Sequence, residues 1–410
     1  MLAVKKMKNR ILSLVIFVSF LNANSLYSEV LLGVEVLEKE NFSVLRNKRV
    51  GLVTNHTGRR KDGKPTVEVL QSEKAKKNGV KLVAIFSPEH GFYGVEDTYV
   101  GSSTYTAFGI PIYSLYGEVK KPTKEMLKNI DVLVFDIQDI GTRFYTYTTT
   151  MALCMEAAKE NNILFVVLDR PNPITGEYVE GNLQDKEFLK MFGSYFPLPV
   201  RHGMTVGELA LLFNREYGIR CKLKVVKMEG WRRNMWFDET GIPWVNPSPN
   251  MRSLDAAILY PGTAYFEAGT NVTEGRGTEK PFQYIGAPFI NPQEWAIELT
   301  SRNIPGVAFE PITFTPAAYK YKNEECFGVY VKITDRSQVK PVYLGLHMVD
   351  SVLKLYPDKF ILPEKFNEIA GTTKIREKLL ARAPVDEIVR MWEMDLQKFM
   401  KVRKKYLLYK

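Results

Sequence analysis

The stretch KLVAIFSPEHGFYG, residues 81–94, joins an unbroken apolar run to a polar turn. Because KLVAIF does not alternate apolar with polar residues, we expect a strand that is buried on both faces. Pro88 and Gly91 then favour a turn, and between them stand Glu89 and His90. Two titratable side chains therefore emerge where a core strand ends, which is where parallel sheets place their ligand sites.

Four further runs of this kind predict a parallel sheet. They are RVGLVT (49–54), DVLVFDI (131–137), ILFVVLD (163–169) and KLKVVKM (222–228). Helical patterns separate the runs, and they cover 66–79, 125–130, 147–162 and 205–218. The last pattern begins with a capping box, Thr205 with Glu208. Strands that alternate with helices in this way predict an α/β fold built on a Rossmann-like parallel sheet.

The composition of the sequence changes after about residue 245, and we predict a second domain. Pro, Gly and Asn are dense in 245–251 and 259–282, and long loops of this kind inside a compact protein are usually functional. We place a catalytic domain at 26–270 and a smaller α+β domain, which completes the cleft, at 271–410. The elements predicted for the second domain are a helix near 292–302, strands near 306–315 and 326–334, and helices near 344–356 and 384–406.

Residues 1–25 have the features of a secretory signal peptide. Four basic residues precede an apolar run at 11–21, which is too short to span a bilayer, and small residues follow at 23 and 25. We expect a mature chain that begins near Leu26, in the periplasm or outside the cell, with no membrane segment left after cleavage.

The composition of the 410-residue chain restricts its partners. Loss of the four basic signal residues from a formal charge of +10 leaves about +6, a mild surplus that suits an anionic cell-wall polymer. No basic stripe predicts nucleic-acid binding. The three cysteines, at 154, 221 and 326, are too sparse for a disulfide framework or a zinc site. We expect neither a metal nor a cofactor.

Polar side chains follow each of the first four predicted strands. Because the carboxyl ends of parallel strands share one edge of the sheet, we expect these side chains to converge there. With the Arg201–His202 pair that precedes the capped helix, the candidates at this edge are Asn55, His56, Glu89, His90, Asp136, Asp139, Arg143, Tyr145, Asp169, Arg170, Asn172, Arg201 and His202.

Known motifs narrow the chemistry of this edge. No GxGxxG follows a strand, and neither GxSxG nor HExxH occurs. GRRKDGKP (58–65) has the spacing of a phosphate-binding loop, but Pro65 stands where that loop needs Ser or Thr. Paired carboxylates with arginines and aromatic rings fit glycoside hydrolysis. The histidines and carboxylates leave a divalent-metal site as an alternative.

Several long segments resemble the exo-β-N-acetylmuramidase family of peptidoglycan glycosidases, and the similarity extends nearly from end to end after the signal. The segments are GLVTNHTG (51–58), FSPEHGFYG (86–94), VFDIQDIGTRFYTY (134–147), VLDRPNP (167–173), PVRHGMTVGELA (199–210), WVNPSPNM (244–251), YPGTAYFEAGTNVTEGRGTEKPF (260–282) and YLLY (406–409). YFEAGTN is slightly longer than the Glu-Gly-Thr-Asn form associated with the family. The resemblance implies a Rossmann-like domain followed by a smaller one, and an enzyme that removes N-acetylmuramic acid from the non-reducing end of peptidoglycan chains or muropeptides.

The resemblance also implies that Glu89, in the SPEHG motif, is catalytic, and we expect it to be the general acid with His90 beside it. For the second catalytic group, Asp136, Asp139 and Glu274 are candidates, and the substrate's own acetamido oxygen is another.

Muramic acid carries a lactyl carboxylate, so a selective site needs an arginine. We favour Arg143 over the other candidate arginines, Arg170, Arg201 and Arg276. The asparagines expected to bind hydroxyl or acetamido groups, or else to hold turns, are Asn55, Asn172, Asn250 and Asn271.

Two other functions stay open on the sequence. One is a catalytically silent protein that binds cell-wall sugars, and the other is a metal-dependent hydrolase that uses the histidines and carboxylates of the sheet edge.

Overall fold

The computed structural model describes residues 29–94, 101–105, 107–191, 193 and 195–410. The predicted signal peptide and its cleavage site near Leu26 lie outside these residues. The strands are β1 Arg49–Thr54, β2 Lys81–Ser87, β3 Ser103–Tyr105, β4 Ile110–Ser114, β5 Val132–Asp136, β6 Leu164–Leu168, β7 Lys222–Val226, β8 Tyr284–Ala287, β9 Val307–Phe314 and β10 Cys326–Ile333.

The helices alternate with the strands in the first part of the chain and dominate its end. They are α1 Gly33–Lys39, α2 Thr66–Leu70, α3 Glu73–Lys77, α4 Lys124–Leu127, α5 Tyr147–Glu160, α6 Val206–Arg215, α7 Leu254–Thr263, α8 Pro292–Ser301, α9 Pro341–Leu355, α10 Phe366–Ala370, α11 Thr373–Leu380, α12 Val385–Arg390 and α13 Glu393–Arg403. In the part of the chain that is described, no helix combines the length and the apolar character needed to cross a bilayer.

The larger sheet has the strand order β3-β4-β2-β1-β5-β6-β7. All neighbouring pairs are parallel except β3 with β4. Leu52 of β1 pairs with Ile85 on one side and with Val134 on the other. The chain winds outward in both directions from β1 and β5, so the connections diverge between these two strands, where doubly wound folds open a crevice.

Both faces of this sheet are buried, as the unbroken apolar runs predict. Along β5, Val132 and Val134 point into one hydrophobic core, whereas Leu133 and Phe135 point into the other. Helices α5 and α6 contribute to the core on the Phe135 face. The predicted α/β class is therefore confirmed.

A smaller α+β unit follows, also as predicted. Its antiparallel sheet has the order β8-β10-β9. Helix α7 packs against α9 so closely that a Cβ at Gly262 would lie 1.8 Å from the carbonyl oxygen of Pro341. This contact brings the segment before residue 270 against the second unit, and the domain boundary at 270 stays a prediction.

Several local predictions differ from the structure. The helix predicted at 66–79 is two short helices, because Ser72 caps the second one by accepting a bond from Ala75 N at 3.2 Å. The helix predicted at 384–406 is divided into α12 and α13. Strands β3 and β4 are short and have no unbroken apolar run, so the sequence pattern does not predict them. The capping box of α6 is confirmed.

Candidate active site

A cavity of about 290 Å³ lies where loops from the large sheet meet the segment around α7. Loops after β2, β4 and β5 form one side, and residues from 248 onward form the other. The side chains that line it are Glu89, His90, Tyr116, Phe144, Tyr145, Thr146, Ser248, Asn250, Met251, Tyr260, Glu267, Arg276, Phe282 and Tyr319.

The turn after β2 brings Glu89 and His90 to this cavity. His90 has a φ of 69°, which is uncommon for a residue with a side chain, and the amide of Gly91 donates to the carbonyl of Pro88 at 3.1 Å. Thr146, at the start of α5, donates its hydroxyl to Glu89 Oε2 at 2.6 Å. The loop after β5 thus fixes one oxygen of the Glu89 carboxyl group.

Glu267 faces the same cavity from the opposite side, just after α7 and a short 3₁₀ turn. Its Oε1 accepts a bond from Arg276, whereas its buried Oε2 has no hydrogen-bond partner among the described residues. Burial raises the pKa of Glu267 to about 6 against the opposing charge of Arg276, and the negative charge of Glu89 contributes to the rise. The cavity therefore holds two carboxyl groups, one with an unused acceptor.

Arg276 is held from behind by a second layer of charges. Its Nε lies 3.4 Å from Glu274 Oε1, and Glu274 Oε2 lies 3.1 Å from Lys320 Nζ. Lys320 also donates to the carbonyl of Phe266 at 2.6 Å. Glu274 is buried and does not line the cavity. Its role in this geometry is to orient Arg276 rather than to meet a ligand.

Aromatic rings form much of the remaining wall. The ring of Tyr260 lies 5.4 Å from that of Phe144 and 4.7 Å from that of Phe282, both in edge-on arrangements. Tyr319 places its ring 5.3 Å from the Arg276 guanidinium carbon and accepts a hydrogen bond from Asn250 Nδ2 at 3.0 Å. Two carboxyl groups, a guanidinium and aromatic faces suit proton transfer on a polar, ring-shaped, anionic substrate.

Comparisons with known proteins identify the family of this chain. The model for the N-terminal part of exo-β-N-acetylmuramidase NamZ matches residues 50–255, and the model for its C-terminal part matches residues 258–409. The chain belongs to the exo-β-N-acetylmuramidase NamZ family. It is 46% identical over 381 residues to the peptidoglycan β-N-acetylmuramidase NamZ of Bacillus subtilis strain 168, a match that covers 92% of this chain and 91% of the relative.

Solved structures agree with the NamZ assignment. Two crystal structures of DUF1343 family proteins from Bacteroides fragilis NCTC 9343 superpose with TM-scores of 0.86 and 0.73, at 38% and 33% identity. Each match covers 93% of this chain and 99% of the other. The fold is therefore shared with these two proteins over 93% of this chain.

Five of the residues that we predicted for the NamZ site line the cavity: Glu89, His90, Tyr145, Asn250 and Arg276. Burial raises the pKa of Tyr145 far above its ordinary value, so its phenol stays neutral. The remaining predicted residues do not line the cavity, and the described contacts hold each of them elsewhere.

Asp136 and Arg170 form a buried ion pair with each other. Arg170 Nε donates to Asp136 Oδ1 at 2.5 Å, and Thr66 donates its hydroxyl to Asp136 Oδ2 at 2.5 Å. Both oxygens of Asp136 are therefore occupied within the protein, and this geometry does not support a role as catalytic base.

Asp139 and His202 are also buried, and they face one another at 3.6 Å. Asp139 Oδ2 accepts from Gly141 N at 2.7 Å, and His202 Nδ1 accepts from Met204 N at 3.2 Å. These bonds shape the turns after β5 and before α6. Among the described residues, no group of three or more His, Cys, Asp or Glu side chains has an arrangement that suits a metal ion.

Arg143, our preferred partner for a lactyl carboxylate, is fully buried and donates only to backbone carbonyl oxygens. Two of these bonds go to the second unit, at Ile369 (2.8 Å) and Ala370 (3.0 Å), and two to Asn182 and Leu198. Its donors are directed to the main chain, so Arg143 stabilises the junction of the two units. The arginine at the cavity is Arg276.

The other predicted residues hold loops in place. Arg201 donates to the carbonyl of Ile174, and Asn172 donates to the carbonyl of Met204 at 3.0 Å. Asp169 accepts bonds from Thr205, Gly207 and Tyr409.

Asn55, Asn271 and His56 also make contacts within the protein. Asn55 binds Thr57 and the hydroxyl of Tyr147, and Asn271 ties its loop to Lys359 and Ile361. His56 lies 2.7 Å from the carbonyl oxygen of Asn246, and burial lowers its pKa. These contacts support a structural role.

Glu267 and Tyr319 were not among the residues that we predicted from the sequence. Glu267 lies inside the segment YFEAGTN, so the signal was present, but Glu274 stands seven residues later in the same motif and was chosen instead. Tyr319 lies in the loop between β9 and β10, outside the family motifs quoted above, and no sequence signal marks it.

Proposed function

We propose that this protein is an exo-acting glycoside hydrolase that releases N-acetylmuramic acid from the non-reducing end of peptidoglycan chains. The observation that carries this function is the pair Glu89 and Glu267 on opposite sides of one cavity that also holds Arg276. A volume of about 290 Å³ is at the lower end for small-molecule sites. Such a cavity suits a single terminal sugar rather than a chain that passes through.

Glu89 is the proton donor in this proposal. It stands on the turn that follows β2, and Thr146 donates to one of its oxygens at 2.6 Å. The other oxygen is left to meet the glycosidic oxygen. When the glycosidic bond breaks, Glu89 transfers its proton to the glycosidic oxygen, which leaves as a hydroxyl group, and Glu89 becomes a carboxylate.

Glu267 is the second carboxyl group. With a pKa of about 6 it is mostly ionised at neutral pH and is a stronger base than an ordinary glutamate. It activates the group that attacks the anomeric carbon, which is either water or the acetamido oxygen of the substrate. Arg276 keeps one oxygen of Glu267 oriented through the ion pair.

Arg276 is also placed to bind the lactyl carboxylate that distinguishes muramic acid from glucosamine. A guanidinium has five N–H donors, so it can serve Glu267 and a second carboxylate together. Glu274 Oε1, 3.4 Å from Arg276 Nε, places a further negative charge beside the guanidinium.

The decisive experiment is hydrolysis of a chromogenic β-glycoside of N-acetylmuramic acid, with the anomer of the released sugar followed by NMR. We expect release of the dye, and release of single muramic acid residues from the ends of wall fragments. A protein that binds the glycoside without cleaving it would be the non-catalytic alternative. Activity lost with a chelator and restored by a divalent ion would favour the metal-dependent alternative.

We also propose that the protein is exported to the periplasm or the outside of the cell. The charged segment and apolar run before residue 25 support this. N-terminal sequencing of the native protein should find a start near Leu26, and retention of Met1 would contradict export with cleavage.

A further inference from the structure

A second, smaller cavity of about 170 Å³ lies beside the first. The segment 237–250 contributes to both, since Pro243 and Val245 line the smaller cavity and Ser248 lines the larger one. The wall opposite this segment comes from GRRKDGKP (58–65), the loop that the proposed hydrolase does not use. The residues that line it are Thr57, Arg59, Arg60, Lys61, Asp62, Gly63, Gln138, Arg170, Phe237, Ile242, Pro243 and Val245.

Most of the charges on this loop are already compensated. Arg60 forms ion pairs with Glu38 at 2.5 Å and with Asp62 at 2.9 Å. Lys61 forms an ion pair with Glu29. These contacts leave the charges of Arg60 and Lys61 neutralised at the outer side of the loop.

Arg59 differs from its neighbours. Its Nε donates to the carbonyl of His56 at 2.7 Å, and within the described residues it forms no ion pair. Burial and the positive charge of Arg170 both lower the pKa of Arg59, so the two guanidinium groups are close enough to repel one another. An anion placed between them would relieve that repulsion.

Arg170 supplies a second set of donors. Its Nε and Nη2 bind Asp136, and Nη2 also donates to the carbonyl of Arg59 at 2.8 Å. The remaining nitrogen, Nη1, has no partner in the part of the chain that is described. Only Arg170 pairs with Asp136, so Arg59 is the one cationic side chain at this cavity that forms no ion pair within the described residues.

The facing wall is apolar and comes from Phe237, Ile242, Pro243 and Val245. A single cation without an ion pair suits a monoanion, and the apolar wall suits a short hydrocarbon attached to it. An inorganic dianion would leave the apolar wall without a contact and would carry more charge than Arg59 compensates. The cavity is therefore better matched to an aliphatic carboxylate than to a phosphate.

We propose that this cavity is a binding site for a small aliphatic carboxylate, with Arg59 and Nη1 of Arg170 as donors and the wall at 237–245 against the hydrocarbon. The site is separate from the catalytic cavity and does not rest on the proposed hydrolase activity.

The test uses the whole purified protein with isotope-labelled arginine side chains, titrated with propionate and observed by NMR. We expect saturable shifts of the Arg59 and Arg170 signals, with no saturable shift at the exposed Arg46. Propionamide, which has the same shape without the charge, should leave all three unchanged. Saturation by phosphate but not by propionate would overturn the carboxylate assignment, and the absence of shifts with both would overturn the site.

A pair of variants separates the site from general charge effects. Arg59→Gln should weaken propionate binding about tenfold or more, because a charge-assisted hydrogen bond is lost. Lys77→Gln removes one exposed positive charge from α3, away from the cavity, and should leave binding unchanged. The melting temperature of each variant reports whether it is folded. Equal weakening in both variants, or full binding by a folded Arg59→Gln, would contradict the proposal.

Discussion

The Asp169 cluster and the catalytic cavity both contain a buried carboxyl group whose pKa is raised by burial, to about 7 for Asp169 and about 6 for Glu267. The Asp169 cluster consists of Asp169 and the four groups that donate to it. They are the amides of Arg170 (3.0 Å) and Gly207 (2.8 Å) and the hydroxyls of Thr205 (2.8 Å) and Tyr409 (2.6 Å). Glu267, by contrast, has one oxygen without a hydrogen-bond partner among the described residues.

The difference teaches that a perturbed pKa does not by itself mark a catalytic group. Burial perturbs both carboxyl groups, but the donors around Asp169 leave no lone pair for a ligand. An acceptor that is buried and unused at a cavity costs stability, typically about 1–3 kcal/mol. A fold that keeps such an acceptor pre-positions it for a partner that arrives from outside.

The substitution with the largest expected effect on turnover is Glu89→Gln, at the catalytic cavity. This change keeps the shape of the side chain and removes its transferable proton, so turnover should fall at least about a hundredfold while substrate binding is retained. Steady-state kinetics with a poor leaving group and a melting curve measure the two properties. Turnover close to the wild-type rate would remove Glu89 from the role of acid.

Glu267→Gln tests the second carboxyl group of the cavity. A base must be ionised, so the wild-type kcat/KM should fall as the pH drops below about 6, the pKa of Glu267. The variant should lose turnover by roughly tenfold or more, and its remaining activity should lack this acidic limb. An acidic limb that persists unchanged in the variant would assign it to another group.

Arg276→Lys tests whether Arg276 binds the lactyl carboxylate of the substrate. A lysine keeps the charge but loses the planar fork, so kcat/KM for a muramic acid glycoside should fall about tenfold. This corresponds to a loss of roughly 1.4 kcal/mol of transition-state stabilisation. The matched glucosamine glycoside lacks the lactyl carboxylate, and its smaller basal rate should change less. Equal losses on both substrates would show that Arg276 acts through Glu267 alone.

The smallest effects on catalysis are expected in the Asp169 cluster. Tyr409→Phe removes one donor to Asp169 and should lower the free energy of unfolding by about 1–3 kcal/mol, whereas kcat of the folded enzyme should stay within about twofold of wild type. Denaturant unfolding followed by kinetics measures both. A large loss of kcat without a loss of stability would place Asp169 in the reaction and would end the distinction drawn above.

The sheet was predictable because its strands are buried on both faces, and such burial requires apolar residues at successive positions. The strands β1, β2, β5 and β6 have such apolar runs. The short strands β3 and β4 do not, since three polar-rich residues in β3, or five residues with a proline in β4, are equally compatible with a loop.

The candidate site was predictable in its location but only partly in its residues. Parallel strands bring their carboxyl ends to one edge, so Glu89 and His90 were placed correctly at that edge. Whether a polar side chain there faces a ligand or a neighbouring loop depends on backbone directions within the loops. Asp136 turns to Arg170, and Glu267 arrives from α7, which no strand pattern announces.

The bond from Tyr409 to Asp169 joins residues 240 positions apart, and this separation has a consequence for biosynthesis. A ribosome that adds about 5–20 residues per second needs roughly 10–50 seconds to reach Tyr409 after it has made Asp169. During that interval the carboxyl group after β6 lacks at least one of its four donors, and the nascent sheet edge stays incomplete. This edge of the large sheet can therefore be completed only when nearly the whole chain has been made.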